Sequence, residues 1–492
     1  MTPGLTRAFV IFTGASIVGL ACQITKGKIA AIFLGPAGVG ILNQLTQLWM
    51  FSATVAGLGF FNGIVHHISR SHGDNDTAGI RRQISSSVLF LQIFALGAAA
   101  IAVVFSAAIS AAIFADGGSR AHYVALIMVS VPIGVAAQNY RGVLSGVRAV
   151  GAQARAQMTA DLSSVALSAL LVPLLGLTGA IATFIGLQTV LLAMNFLMSV
   201  RTLGSAVVLP RPGEFRWAEI RRNAGFSSIA LLLTALSTFM VVLVGRWILQ
   251  SLGLDQNGIF ATAWRVSAVY FTALYAAVGG FYFPTLSATR SDADLIEQMN
   301  RALTFFMFLV PPVAALLIAG GPLLMTVLFS AEFVPAAALL LLMLPGDLFR
   351  ISAETLGLAL LARRRFLFYG SCFLVFAGVY LGLIRLLLPE HGLIGIAAAY
   401  LIAQTVQAAL VYVLVRRAFG FRLDAACGGA LWRGFALVAA VSVATGLAAS
   451  GPVAWALAAL CLAAWLRLSW RDPAFRALAR AGLQRLRLRR WG

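Results

Sequence analysis

Nine charged residues inside stretches that otherwise read as membrane-spanning helices are candidates for a functional role. Six are basic and three are acidic: Lys26, Lys28, Arg141, Arg246, Arg265, Arg350, Asp161, Asp347 and Glu354. A charge near the bilayer centre costs at least about 2.5–3.5 kcal/mol on insertion scales, so such residues usually face a water-filled interior and serve a function. Arg forks and Lys ammonium groups suit phosphate. The excess of bases therefore predicts an anionic ligand.

The two lysines, Lys26 and Lys28, are the only ones in the chain. Residues two apart do not share a helix face, so we expect one of them to point straight into a cavity. Arg141 follows Gln138 and Asn139, and this polar helix face predicts an interior position. Arg246 lies close to the outer end of its helix, where a functional role and snorkelling to the surface both remain open. Arg265 is about two turns inside its helix, which favours a functional role.

The stretch "LPGDLFRISAETLG" spaces Asp347, Arg350 and Glu354 at i, i+3 and i+7, along one helix face. Each acid can pair with the arginine. Two interpretations remain open: a self-neutralising structural network, or a group of titratable carboxylates beside a cavity. Asp161 is the other buried acid. Arg385, near Pro389, is expected to snorkel outward instead.

Composition identifies the elements that carry these charges. The 492 residues are 60% hydrophobic and 11% charged, with a mean hydropathy of +0.92, whereas soluble domains are about 45–50% apolar and about 25% charged. We predict an all-α polytopic membrane protein with about fourteen spans of about 20 residues each. Two six-helix lobes, residues 1–204 and 205–420, would surround a central cationic cavity. Two further helices (421–469) and a basic amphipathic tail (470–492) would follow.

Charge placement predicts the orientation. Of the 36 lysines and arginines, most fall at alternate loops and helix ends that become cytoplasmic when the N-terminus is cytoplasmic, and the outer loops then hold only Arg120. The positive-inside rule therefore predicts that both termini are cytoplasmic. We attribute the formal net charge of +20 to basic residues at the cytoplasmic membrane surface, where they face anionic lipid. No nucleic-acid partner is expected.

The sequence offers little for an enzyme. It contains no Ser/His/Asp set, no metal-ligand spacing and no phosphate-cradling glycine loop ending in Lys-Ser/Thr. A membrane-bound polysaccharide polymerase or ligase would need a sizeable loop to hold its acceptor, and every predicted outer loop is short. We therefore expect a transporter with no catalytic residue, metal or cofactor beyond a coupling ion.

Three stretches resemble a known family: "GKIAAIFLGPAGVGILNQL", "NGIFATAWRVSAVYFTAL" and "PGDLFRISAETLGLALLARRRFLFYG". They are similar to the Wzx-type flippases of O-antigen and enterobacterial common antigen, in the multidrug/oligosaccharidyl-lipid/polysaccharide exporter superfamily. The resemblance covers roughly residues 5–418. Its motifs carry over onto Lys28, Arg246, Arg265, Asp347 and Arg350. Lys26 departs from the family pattern, and relatives often have an acid near Ala268.

The resemblance implies a flippase that moves an undecaprenyl-diphosphate-linked oligosaccharide from the cytoplasmic to the periplasmic leaflet by alternating access, coupled to H⁺ or Na⁺. The lipid-linked sugar and the bilayer are the implied partners, a polysaccharide polymerase is a candidate partner, and we expect a monomer. The alternative is a flippase for the peptidoglycan precursor lipid II, because that branch of the superfamily has fourteen spans whereas many oligosaccharide flippases have twelve.

Overall fold

The computed structural model describes residues 3–114, 116–277, 282–289, 291–448, 451–473 and 475–476. Throughout these residues the regular elements are helices, which confirms the predicted fold class. Their bounds are α1 Pro3–Ala56, α2 Phe60–Gly73, α3 Thr77–Val104, α4 Ser106–Phe114, α5 Ala121–Met128, α6 Val131–Gly146, α7 Val150–Leu203, α8 Ser205–Val208, α9 Trp217–Leu252, α10 Leu254–Ala277, α11 Phe283–Ala288, α12 Asp292–Ala319, α13 Gly321–Leu328, α14 Ala336–Ala362, α15 Phe366–Phe419, α16 Ala425–Leu447 and α17 Gly451–Trp470.

Ten of the described helices are long and apolar enough to cross a membrane. Large apolar side chains are exposed along them; Ile93 of α3 is 73% exposed and Leu174 of α7 is 71% exposed. A soluble protein rarely exposes contiguous apolar surface on this scale. Lipid is the solvent that such surfaces suit, so the chain is an integral membrane protein.

Three of these helices, α1, α7 and α15, contain 54 residues each and are interrupted by a single glycine: Gly35, Gly176 or Gly392. A straight helix of this length would extend about 81 Å, far more than the ~30 Å hydrocarbon core. In α7 the chain reverses at Gly176. The reversal brings Gly179 next to Leu171, eight residues earlier, so that a Cβ on Gly179 would clash with the Leu171 carbonyl oxygen. In α15, a Cβ on Gly395 would likewise clash with the carbonyl oxygen of Leu387. Each of these two helices is thus a hairpin, and the count of fourteen spans stays a prediction.

The second predicted span is broken near its middle. Helix α1 ends at Ala56 and α2 begins at Phe60. Between them Leu58 and Gly59 adopt left-handed backbone conformations, with φ of 48° and 64°. The hydropathy pattern predicted one continuous span here, because such a local break changes backbone dihedrals without changing the apolar content.

The chain forms two compact units, Met1–Gly258 and Ile259–Gly492. In unit 1, α9 packs on α1, α2 and α3. The segment before α9 is also held there, because the backbone N–H groups of Arg211 and Arg216 donate to Ser85 and Ser86 of α3 at 3.1 and 2.9 Å. The functional lobes 1–204 and 205–420 stay a prediction.

In unit 2, α14 packs on α15, and α12 packs on α16 and α17. The last two helices therefore join the same compact unit as α12 and α14. Beyond α17, Asp472 pairs with Arg433 of α16 at 2.5 Å and the ring of Phe475 lies 5.0 Å from Phe308. Residues 477–492, where the basic amphipathic tail is predicted, lie outside the described residues.

Candidate functional site

Asp347, in the middle of α14, is the most enclosed of the predicted site residues. Its side chain is fully buried. The hydroxyl of Ser267, on α10, donates to Oδ2 at 2.6 Å, and the hydroxyl of Tyr400, on α15, donates to Oδ1 at 2.6 Å. Three helices of unit 2 thus meet at one carboxylate, and both of its oxygens accept a short hydrogen bond.

Local sequence explains why Tyr400 can reach this acid. The residue before Asp347 is Gly346, and a Cβ there would lie 2.9 Å from Cδ1 of Tyr400, so a glycine is needed for the ring to approach α14. The ring is held on its other sides by Trp264 and Tyr380, whose centroids lie 5.8 and 5.9 Å away in T-shaped contacts. The phenol is consequently fixed by packing as well as by its hydrogen bond.

Arg350 and Glu354 extend the network along α14. Arg350 is half-buried and interacts with the Tyr400 hydroxyl, Asp347 and Glu354. Glu354 is half-buried too, and accepts a hydrogen bond from the Tyr369 hydroxyl at 3.2 Å. The structure therefore brings the three predicted charges of α14 together. Charge pairing and hydroxyl donors offset the cost of burial.

Arg265 lies near this network in sequence but points elsewhere. It precedes Ser267 by two residues in α10, and residues two apart lie on different faces of a helix. Ser267 is buried against Asp347, whereas the Arg265 side chain is exposed. Helix α10 therefore holds a hydroxyl on the Asp347 side and presents a guanidinium on the opposite side.

In unit 1 the predicted cations occupy three helices. Lys26 and Lys28 of α1 are both half-buried. Arg141 of α6 is exposed, and its guanidinium carbon lies 5.7 Å from the centroid of the Phe61 ring. Arg246 of α9 is half-buried, and its Nε atom is buried with no hydrogen-bond partner among the described residues. The four basic residues of this unit thus lie on three helices, α1, α6 and α9.

Asp161 of α7 is buried between α7 and the first half of α1. Its Oδ2 accepts a hydrogen bond from Gln157 at 3.1 Å and faces Gly19, where a Cβ would lie 3.2 Å away. Gly19 precedes Lys26 by seven residues, about 10 Å along a helix. Asp161 therefore lies about two helical turns from Lys26 along α1.

Sequence reasoning missed Ser267 and Tyr400, the two hydroxyl donors to Asp347. They are 80 and 53 residues away from it along the chain. Serine and tyrosine are ordinary residues in apolar helices, and nothing in their local sequence marks a buried acid as their partner. Groups of His, Cys, Asp and Glu that could hold a metal ion are not found in the part of the chain that the structure describes.

The fold and the buried charges define a polytopic all-α membrane protein. The chain belongs to the polysaccharide biosynthesis protein family, whose model matches residues 29–338. It is 22% identical over 428 residues to the lipid III flippase of Escherichia coli K12, covering 84% of this chain and 99% of the relative.

Two solved structures share the fold. The lipid II flippase MurJ in an inward closed conformation matches with a TM-score of 0.73 at 14% identity, over 94% of this chain and 98% of MurJ. An inward-facing multidrug resistance MATE transporter of the MOP superfamily matches with a TM-score of 0.69 at 14% identity, over 82% of this chain and 98% of the transporter. These two matches show that the fold is shared, and the family match bears out the predicted resemblance.

Proposed function

We propose that this protein flips an undecaprenyl-diphosphate-linked oligosaccharide, an O-antigen or related repeat unit, from the cytoplasmic to the periplasmic leaflet by alternating access. The observation that carries the proposal is the similarity to a lipid III flippase along nearly the whole length of that relative. Membership of the polysaccharide biosynthesis family supports it. The bacterial inner membrane, with both termini in the cytoplasm, is part of the same proposal.

The basic residues suit the diphosphate of such a substrate. Phosphate oxygens accept hydrogen bonds from guanidinium forks and from ammonium groups. Lys26, Lys28, Arg141 and Arg246 of unit 1, and Arg265 and Arg350 of unit 2, are the proposed binding residues. Arg141 and Arg265 are exposed residues, while Arg350 is engaged by Asp347, Glu354 and Tyr400.

The acids Asp161, Asp347 and Glu354 are the proposed coupling groups for H⁺ or Na⁺. Asp161 and Asp347 are buried, and Glu354 is half-buried beside Arg350. A carboxylate in such surroundings changes its hydrogen bonding when it gains a proton or a cation. We propose that the protein works as a monomer and that a polysaccharide polymerase takes up the flipped repeat unit.

A lipid II flippase is the second candidate function. It is favoured by one observation: the match to MurJ covers 94% of this chain, whereas the match to the MATE transporter covers 82%. The added coverage is consistent with the presence of α16 and α17, since the notable feature of the lipid II branch is its fourteen spans.

The test is leaflet translocation in proteoliposomes with fluorescent undecaprenyl-diphosphate-linked oligosaccharide or lipid II, with and without a proton or sodium gradient. We expect translocation of the oligosaccharide lipid. Loss of one charge-assisted contact in Lys28→Ala, Arg141→Ala or Arg265→Ala should reduce the rate about tenfold or more.

Arg385→Ala is the matched control, because it removes one exposed arginine from α15 that the binding proposal does not include. Wild-type rates in all three test variants at normal expression would contradict cationic recognition. Translocation of lipid II alone would favour the second candidate.

A further inference from the structure

An aromatic arrangement in unit 2 recurs in unit 1 without its polar groups. In unit 2, Trp264 contacts Tyr400 in a T-shaped pair at 5.8 Å. In unit 1, Trp49 contacts Phe184 in a T-shaped pair at 5.0 Å. Tyr400 follows the turning residue Gly392 by eight positions, and Phe184 follows the turning residue Gly176 by eight as well. The two units therefore share one packing motif.

The residues that end α6 and α14 align these two helices. Arg148 after α6 and Arg364 after α14 both have left-handed backbone conformations, with φ of 56° and 57°, and they are as far apart along the chain as the two turning glycines. In this alignment Asp347 corresponds to Val131 and Arg350 corresponds to Gly134.

Unit 2 thus has an acid, a base and a phenol hydroxyl where unit 1 has valine, glycine and a phenyl ring. The unit 1 version shows that apolar groups are sufficient to pack this motif. Burying a charged network is costly and contributes little net stability compared with apolar packing. Its presence in one unit only therefore indicates a role other than packing.

The hydrogen bonds of Asp347 depend on its charge. As a carboxylate, it accepts from Ser267 and Tyr400 at the same time. A proton bound to either oxygen converts an acceptor into a donor, so one of the two hydroxyls must give up its bond or change its role. The groups that act on Asp347 are Arg350 from its own helix, Tyr400 from α15 and Ser267 from α10. Helices α11, α12, α13 and α16 also pack on α14 and contribute none among the described residues.

We propose that Ser267 and Tyr400 are positioning residues through which the charge of Asp347 controls how α10 presents Arg265. The Ser267 bond ties α10 to α14, and Arg265 stands two residues away on another face of α10. When Asp347 is charged, both hydroxyls are engaged and α10 is fixed. When a proton from solvent neutralises Asp347, the Ser267 tether weakens and Arg265 is free to reorient. The inference rests on the proposed translocation of a diphosphate-linked substrate.

The test measures initial translocation rates of the oligosaccharide lipid across a range of pH in wild type, Ser267→Ala, Tyr400→Phe and Asp347→Asn. Asp347→Asn should make the rate independent of pH over the range in which the wild type responds. Ser267→Ala and Tyr400→Phe should shift the midpoint of the profile and lower the rate at the wild-type optimum about tenfold, as for loss of a hydrogen bond to a charged group. Ser267→Thr keeps the hydroxyl and should restore the profile.

Two matched controls separate positioning from packing. Tyr380→Phe removes a buried phenol hydroxyl that has no hydrogen-bond partner in the described structure and whose ring contacts Tyr400. Ser52→Ala removes the serine three residues after Trp49, as Ser267 is three residues after Trp264. Both should keep the wild-type profile.

Unshifted profiles in Ser267→Ala and Tyr400→Phe, with rates lowered equally at every pH, would overturn the inference and leave translocation itself intact. Absence of translocation in folded wild-type protein would refute the proposed function instead. If Ser267→Ala or Tyr400→Phe does not fold, the pH profiles of Ser267→Thr and Asp347→Glu are compared to test the inference. Asp347→Glu keeps both hydroxyl donors but displaces the carboxylate, so its pH profile should shift. An unshifted Asp347→Glu profile would contradict the proposal.

Discussion

At the scale of single residues, Asp116 shows how a short loop is fixed by one carboxylate. The loop joins α4 to α5. Burial alone would raise the pKa of Asp116, but hydrogen bonds from the Gly118 N–H, Ser119, Ser110 and the Arg120 N–H hold this pKa below its usual value. The Arg120 guanidinium adds an ion pair at 3.1 Å. The Asp116 carboxylate thus holds the loop in place through these contacts.

Asp116→Asn should destabilise the loop, because an amide has one acceptor oxygen and carries no charge to pair with Arg120. The expected loss is about 1–3 kcal/mol in the free energy of unfolding. Since the folded pKa is depressed, the contribution of Asp116 is present above the unfolded pKa of about 3.9 and disappears as pH falls through the folded value. Thermal unfolding in detergent at neutral pH and at pH 3 measures it. Equal melting temperatures for variant and wild type at neutral pH would refute the role.

At the scale of elements, the hairpin helices depend on their turning glycines. Gly176 has φ 56° and ψ −130°, and Gly392 has φ 56° and ψ −139°. This region of backbone space is essentially restricted to glycine. Two long apolar segments can therefore follow each other with a single non-helical residue between them.

Gly176→Ala should destabilise the protein by about 1–3 kcal/mol, because alanine is strained at this φ and ψ. The matched control is Gly97→Ala in α3, where a Cβ meets nothing within 4 Å and the backbone is helical. That control should be neutral or stabilising, since alanine favours helix over glycine by about 1 kcal/mol. Melting temperatures in detergent compare the two, and equal effects of both substitutions would argue against a strained turn.

At the scale of the whole molecule, the distribution of arginine predicts the orientation in the membrane. A green fluorescent protein fused after Gly492 should fluoresce, and alkaline phosphatase at the same place should be inactive, because the positive-inside rule keeps the arginine-rich end in the cytoplasm. Phosphatase inserted between Gly117 and Gly118, in the loop that holds Arg120, should be active. The opposite pattern would reverse the topology and with it the proposed direction of transport.

The predictions from sequence reached the fold class and the charges of α14 because both depend on local properties. The hydropathy of a segment decides whether it suits lipid wherever it packs, and the spacing of Asp347, Arg350 and Glu354 fixes one helix face. The break at Leu58 and Gly59 could not be predicted from hydropathy, because a change in backbone dihedrals leaves the apolar content of the span unchanged. Which predicted cations bind substrate stays a prediction, because that depends on the bound state.

The sequence by itself determined that this is an all-α membrane protein with basic residues inside apolar segments, because transfer into lipid is a property of composition along a segment. Only the tertiary structure decided that Ser267 and Tyr400 hold Asp347, and that Arg265 faces away from them. The physical reason is distance along the chain: a hydrogen bond of 2.6 Å between residues 80 or 53 positions apart exists only after three helices have packed. Lys26 and Lys28, which stand out by type in α1, acquire their half-buried positions from helix packing within unit 1.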